Sequence, residues 1–423
     1  MSDTSDPSVS FGVELRRRRI AAGISLTEFA SRLHYSKSHL SKVENGSKGV
    51  SVELARLCDA VLHAGGQLVA LMPAPERATR LQHPVSEPLI GGPEALEWPA
   101  FAASLQPAGD EAAAAQALVA FQNQLESLRD LGQTLGPSLI IPILVPNYTA
   151  LQQLARRVES AQARESLILA ARFAEFAGWM TQELGDDLGA LHWTDKAVEL
   201  ARTAGDNDMV AYAFVRRANI AMYQQDAYGT ITFARQAQEM ECSERVRGLA
   251  AQREAQGHAL AGDADGFYRC MSLAAELLES SRLSAGGRPV LGSARMPDTV
   301  ALATGWSLYD LGRPAEAVRV LDPLFDRTPK RTSRAWARTG ARLALSLAAQ
   351  GEVERACAIA QPILVLFPVI ESATIRSDLR QLARLLNRWH SNPSVRGIMP
   401  DLSAALTPAP KAESMLLKPP SGA

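Results

Sequence analysis

Gly178-Trp179-Met180-Thr181-Gln182-Glu183-Leu184-Gly185 and Gly305-Trp306-Ser307-Leu308-Tyr309-Asp310-Leu311-Gly312 repeat one frame, with Gly-Trp at its start and Leu-Gly at its end. In both, a glycine stands seven residues ahead of a turn glycine. A helix stopping at the second glycine crosses its neighbour closely at the first, where only a tiny side chain fits. Ala218, Ala255 and Ala344 hold the same slot ahead of three other turns. The turns Gly185-Asp186, Gln225-Asp226, Gly262-Asp263, Gly312-Arg313 and Gly351-Glu352 lie 40, 37, 50 and 39 residues apart, the period of stacked helix pairs. Five and twelve residues past each turn come the packing positions of the second helix: Ala190 and Ala197, Thr230 and Ala237, Phe267 and Ala274, Ala317 and Leu324, Ala356 and Ile363. Phe267 departs from this small-residue pattern, as does the Pro- and Gly-containing insertion at residues 286–297. Apolar residues three and four apart run from about residue 110 to 390, so this part reads as all-α.

Six prolines between Met72 and Pro99, with Gly91-Gly92, interrupt any helical pattern and mark a linker. The expected organisation is a flexible start (residues 1–10), a small helical head (11–72), the linker (73–109), the repeat region (110–392) and a disordered tail (393–423). The 423-residue chain is 47% hydrophobic and 21% charged, a balance of globular domains rather than of disordered or membrane chains. Its first residues lack the order of a signal peptide, and no run of about 18 or more uncharged apolar residues is evident. The expectation is a cytoplasmic, nucleoid-associated protein that does not engage membranes. Cys58, Cys242, Cys270 and Cys357 form no C-x-x-C pair and have no histidine at ligand spacing, so they read as inert buried thiols with no metal and no cofactor. The net charge of -1 conceals an asymmetry. Residues 11–72 carry nine Lys/Arg against five acids, a net of +4, which favours a polyanion such as double-stranded DNA.

Within the head, a helix from about residue 11 to 22 stops at Gly23, a residue suited to a left-handed cap. Ser25 opens a second helix, with Glu28 three residues on as a capping box. That helix ends near Leu33, and Ser36 caps a third, which runs to Asn45 and stops at Gly46. Leu40 and Val43 point inward with Phe29, Ala30 and Leu33. Lys37, Ser38, Ser41, Lys42 and Asn45 are left on a short, polar, cationic outer face.

Arg19-Ile20-Ala21-Ala22-Gly23-Ile24-Ser25-Leu26-Thr27-Glu28-Phe29-Ala30, followed by residues 36–46, resembles the phage-repressor and Cro-like (XRE) helix-turn-helix family over about 60 residues. The resemblance implies a five-helix domain whose third helix enters the major groove. It places Ser36, Lys37, Ser38 and Lys42 at or near base edges, with His39, Ser41 and Asn45 on the same helix. Lys48, Arg16 and the helix start at Ser25 are expected to hold phosphates. It also makes Arg19 and Glu44 a structural ion pair. Leu26 stands where many members carry a glutamine, so that contact is lost or supplied otherwise.

The repeats resemble the tetratricopeptide consensus, which implies an α-solenoid with a concave groove. On that pattern Trp179, Tyr212, Asn219, Gln256, Trp306 and Tyr309 line the groove, together with Arg172, Glu175, Gln182, Val215, Met222, Gln252 and Arg338. Amides and aromatics suit an extended peptide. A repressor-like head on such repeats is similar to peptide-responsive regulators. Ala174-Glu175-Phe176-Ala177-Gly178-Trp179 and Ala204-Gly205-Asp206 further resemble an actinobacterial group of regulators. The implied function is a homodimeric transcription regulator responding to a peptide or small-molecule effector. The alternative is a DNA-tethered protein–protein interaction scaffold. No nucleotide-binding, zincin or nucleophile-elbow motif occurs and the seven histidines do not cluster, so an enzyme is not expected.

Overall fold

The computed structural model describes residues 7–33, 35–62, 64, 67–71, 111–158, 160–283, 291–292, 298–330 and 333–407. The expected linker, His34 and the last residues of the expected tail lie outside these. Among the described residues all regular structure is helical.

The head comprises α1 (Pro7–Ala21), α2 (Leu26–Leu33), α3 (Lys37–Glu44), α4 (Val52–Leu62) and a single 3₁₀ turn (Val69–Leu71). The fifth element is thus one turn, not a full helix, and α1 begins inside the segment expected to be flexible. Phe11, Leu15, Phe29, Leu33, Leu40, Val43, Leu54 and Cys58 are fully buried together. Gly23 (φ 68°) and Gly46 (φ 69°) adopt the left-handed conformation that ends α1 and α3. Gly12 is required for a different reason. A Cβ there would stand 2.3 Å from the Val43 carbonyl oxygen, so only glycine lets α1 cross the end of α3 this closely. Buried Asp59 accepts from the Val69 amide at 2.7 Å and ties the 3₁₀ turn to α4.

The remaining helices pack in antiparallel pairs. Ahead of the repeats come α5 (Glu111–Leu131) and α6 (Pro137–Ala155). Five pairs follow: α7 (Ser160–Leu184) with α8 (Asp187–Ala204), α9 (Asn207–Tyr223) with α10 (Ala227–Glu239), α11 (Glu244–Leu260) with α12 (Ala264–Leu283), α13 (Thr299–Asp310) with α14 (Pro314–Arg327), and α15 (Ser333–Gln350) with α16 (Val353–Ile370). Each of the five expected turns joins the two helices of one pair. Gly185, Gln225, Gly262, Gly312 and Gly351 all have positive φ, and Gln225 accepts the strain of a non-glycine there. All ten expected packing positions on the second helices are buried, Phe267 included. The glycines behave as required: a Cβ on Gly178 would press on the Trp193 Cβ at 3.2 Å, and one on Gly305 would overlap Leu321 at 2.6 Å.

Three expectations are corrected. Residues 393–406 are not disordered: α17 (Ala373–Leu386) is followed by α18 (Pro393–Leu406), which buries Val395, Ile398 and Leu402 against α16 and α17. Asn392 caps α18, and Pro393 at its first turn needs no amide partner. Second, the thiols are not uniformly buried, since Cys242 and Cys270 are partly exposed.

The third concerns the groove. The inner helices curve until the last meets the first: α17 packs on α7, the Arg334 guanidinium reaches the Gly132 and Leu135 carbonyls, and Ser138 donates to Glu371 at 2.5 Å. The stack of helices therefore meets itself in a ring, and a buried charge lock stands where it meets: Glu183 on α7 accepts from Arg334, Arg338, Ser372 and Thr374.

Among the described residues α16 is long and apolar enough to cross a membrane. Ala356, Ala360, Ile363 and Phe367 turn its apolar face into the core beneath α15 and α18.

Candidate nucleic-acid interface and the cavity behind it

The Ser36 hydroxyl accepts from the His39 amide at 3.2 Å and starts α3, a cap of the expected kind. Ser25 accepts from the Glu28 amide at 3.1 Å at the start of α2. The other half of the expected capping box is not made, because the Glu28 carboxylate takes Arg32 at 2.6 Å. Ser51 caps α4 through the Leu54 amide. Three helix starts in one small head thus carry hydroxyl caps and the local positive field of their free amides.

Leu40 and Val43 anchor α3 inward, and its other side faces out. Ser36, Lys37, Ser38, Lys42, Asn45 and Lys48 are exposed, while His39 and Ser41 are half-buried. These residues of α3 and the turn after it are thus at least partly open to solvent. Lys48 Nζ lies 3.4 Å from His39 Nδ1, and the His39 ring leans on Tyr35 with centroids 4.9 Å apart. Burial first, then Lys48 and Lys42, pushes the His39 imidazole below its ordinary pKa, so the lysines carry the cationic charge of this face near neutral pH.

The arginine run divides its labour. Arg17 and Arg18 both pair with Glu14 at 2.6 Å, which leaves exposed Arg16 beside α3 as the cation expected to reach a phosphate. Arg19 is the expected structural partner of Glu44: both are buried, with two guanidinium–carboxylate bonds at 2.6 and 2.9 Å and a third to the Ile24 carbonyl.

One contact had no signal in the sequence. Arg388, just after α17, donates to the Tyr35 hydroxyl at 2.9 Å and lies 4.6 Å over its ring. Tyr35 occupies the turn that leads into α3, so the repeat region touches the head at the base of its outward helix and leaves the cationic face uncovered.

Helix, tight turn, capped helix and exposed lysines define the head as a helix-turn-helix DNA-binding module. Residues 10–72 match the family model of the helix-turn-helix domain. No curated protein and no solved structure matches the chain.

Inside the ring lies a cavity of about 170 Å³ between α5, α7, α9, α11 and α15. Of the expected groove residues, Trp179, Tyr212 and Asn219 line it, with Glu175, Val215 and Arg338. The others do not. Trp306 is buried beneath Arg342 and Arg338, at 5.1 and 5.9 Å, and Tyr309 is buried in the same core. Gln256 is buried and accepts from Arg253. At Trp306 it is the next inner helix, α15, that supplies the cover through Arg338 and Arg342.

Five arginines line the cavity: Arg129, Arg216, Arg253, Arg334 and Arg338. Sequence reasoning found only Arg338 of these, because the others converge from helices far apart in the chain. Arg129 and Arg216 share Glu175 at 3.8 and 3.7 Å. Glu183 takes Arg334 at 3.0 Å and also takes Arg338. Burial alone would raise the Glu183 pKa, but the two arginines with Ser372 and Thr374 outweigh it and hold the carboxyl at about 2. Arg253 pairs with no carboxylate among the described residues, and its Nε is buried without a partner.

The tertiary fold also assembles a Glu254–His258–Cys270 cluster, with ligand-capable atoms all within 4.8 Å of one another. Sequence spacing gave no sign of this cluster, because His258 and Cys270 lie on different helices. Glu254 is already held by Arg235 and Gln238, each at 2.7 Å, so the cluster reads as an internal ion-pair network. Asp263 caps α12 and also holds His258 Nδ1 at 2.8 Å. Hydrogen bonding to the Cys270 sulfur, then to Glu254, raises the His258 pKa from 6.5 to about 9. A raised folded-state value contributes stability that is complete below about 6.5 and lost as pH climbs through about 9. The thermal midpoint is expected to fall across that window, with the slope shallower in His258→Gln. Parallel midpoint–pH curves for the two proteins would rule this out.

Proposed function

We propose that this chain is a sequence-specific transcription regulator of the phage-repressor and Cro-like type, with tetratricopeptide-like repeats that sense an effector, and that it works as a homodimer. The observation that carries the reading is the exposed face of α3, with Lys37, Ser38 and Lys42 presented outward by a capped, well-anchored helix. Lysine donates to guanine O6 and N7, and serine pairs with several bases, so a G-containing half-site is favoured. One head spans few base pairs, and two heads on paired half-sites supply the affinity and the operator symmetry.

The Tyr35–Arg388 contact supports a regulatory use of the repeats. An effector that shifts α17 moves Arg388 against the turn preceding α3 and so alters how the head is presented. The proposed role is non-enzymatic. Robust turnover of nucleotides or esters by the purified protein would argue against it.

Genome-wide mapping of bound sites with the wild type and with Lys37→Ala/Lys42→Ala tests the reading. Each lysine is expected to contribute about 1–3 kcal/mol to site recognition, so the double variant loses its peaks while its circular dichroism is unchanged. Equal occupancy by the folded double variant, or the lack of any fragment preference by the wild type at moderate salt, would refute it.

A further inference from the structure

The walls of the ring cavity are specific about what they can hold, and the inference drawn from them rests on the effector-sensing reading above. Five arginines surround the space, against the carboxylates Glu126, Glu175 and Glu183. Of the five, Arg253 has no carboxylate partner among the described residues. Burying guanidinium groups without counter-charge is costly, and an anion entering the cavity removes that cost. Arg253 is the group left over: it donates to the Gln256 amide oxygen, and its Nε has no partner. Arg216 is 6% exposed, and its nearest carboxylate, Glu175, stands at 3.7 Å and is shared with Arg129.

Phe176, Trp179 and Tyr212 make the apolar part of the wall. Phe176 and Trp179 are stacked on one another with centroids 5.6 Å apart, and the Arg334 guanidinium lies 5.9 Å over the Trp179 ring. Such a wall offers aromatic edges, against which a further ring packs edge to face. A cavity of about 150 Å³ is enough for benzene, so about 170 Å³ suits one ring with a small substituent.

We propose that this cavity binds a small aromatic carboxylate, its ring against Phe176 and Trp179 and its carboxylate held by Arg253 and Arg216. A guanidinium matches a carboxylate in a two-point fork, which selects this group over a neutral amide of equal shape. The ligand would also be felt at the head. Arg338 lines the cavity and at the same time donates to Glu183 and to Thr374 in the first turn of α17, the helix that leads to Arg388.

The test uses the full-length protein and matched acid–amide pairs: benzoate with benzamide, and salicylate with salicylamide. Binding is followed by calorimetry and by thermal midpoint. At least one acid is expected to bind and to raise the midpoint, its amide to bind at least about tenfold more weakly, and Arg253→Gln to lose about tenfold in affinity for the acid. The proposal is overturned if none of the acids binds, if acid and amide bind alike, or if Arg253→Gln binds the acid as the wild type does. DNA affinity of the same samples is measured separately in the absence of any acid. Failure there removes the regulator reading and leaves the binding result to be judged by itself.

Discussion

Replacing Glu183 with alanine is expected to destabilise the repeat region by about 3–5 kcal/mol, the cost of breaking one side of a buried ion pair. The Glu183 side chain is about 1% exposed and accepts from Arg334, Arg338, Ser372 and Thr374. Its removal strands two guanidinium groups in the interior and unfastens α7 from α17, the contact that closes the ring. Glu183→Gln keeps the volume and loses the charge, so it separates electrostatics from packing. The pH dependence has a defined sign. A carboxylate held at about 2 in the folded state contributes stability above its ordinary value of 4.5, and that contribution disappears as pH falls through about 2. Urea denaturation of the wild type and both variants between pH 3 and pH 7 reads the effect. A loss below about 1 kcal/mol in Glu183→Ala would show that the lock is not what holds the ring shut.

The second large effect is expected in the head. Arg19→Ala removes two bonds to Glu44 and one to the Ile24 carbonyl, and leaves the Glu44 carboxylate buried at 6% exposure without its partner. A penalty of about 3–5 kcal/mol is comparable to the whole stability of a domain of this size, so the head is expected to unfold. Hydrogen exchange in α1–α4 should become fast and DNA affinity should vanish, while exchange in α7–α17 is unchanged. Arg19→Lys keeps the charge without the fork and should fall between the two. Arg19→Ala binding DNA with wild-type affinity would be incompatible with the assigned role.

The two effects also separate the two halves of the functional reading. Loss of Arg19 removes the DNA-binding surface and spares the cavity. Loss of Glu183 disturbs the path from the cavity to α17 and spares the α3 face. A variant set combining Glu183→Gln with Lys37→Ala/Lys42→Ala therefore tells a failure of DNA recognition from a failure of its control.

Much of the architecture is local and could be read from residue order. Turn glycines recur at a fixed distance from small packing residues, because a helix pair needs a left-handed stop and a close crossing, and both demands act over fewer than about twenty residues. Ser36, Gly46 and the spacing of Leu40 and Val43 determine α3 and its outward lysines in the same way, and the Arg19–Glu44 pair was legible through its resemblance to a known head. What the order of residues did not disclose is where distant helices meet. Ring closure joins Glu183 to Arg334 and Thr374, which lie 151 and 191 residues from it in the chain. No periodicity encodes a contact between charges on α7, α15 and α17. Tertiary packing likewise gathers five arginines around one cavity, buries Trp306 beneath α15 and brings Arg388 against Tyr35. Local sequence sets the helices and their stops by sterics and capping; which faces become interior is a property of the assembled ring, because desolvation and charge pairing are settled only once all its members are in place.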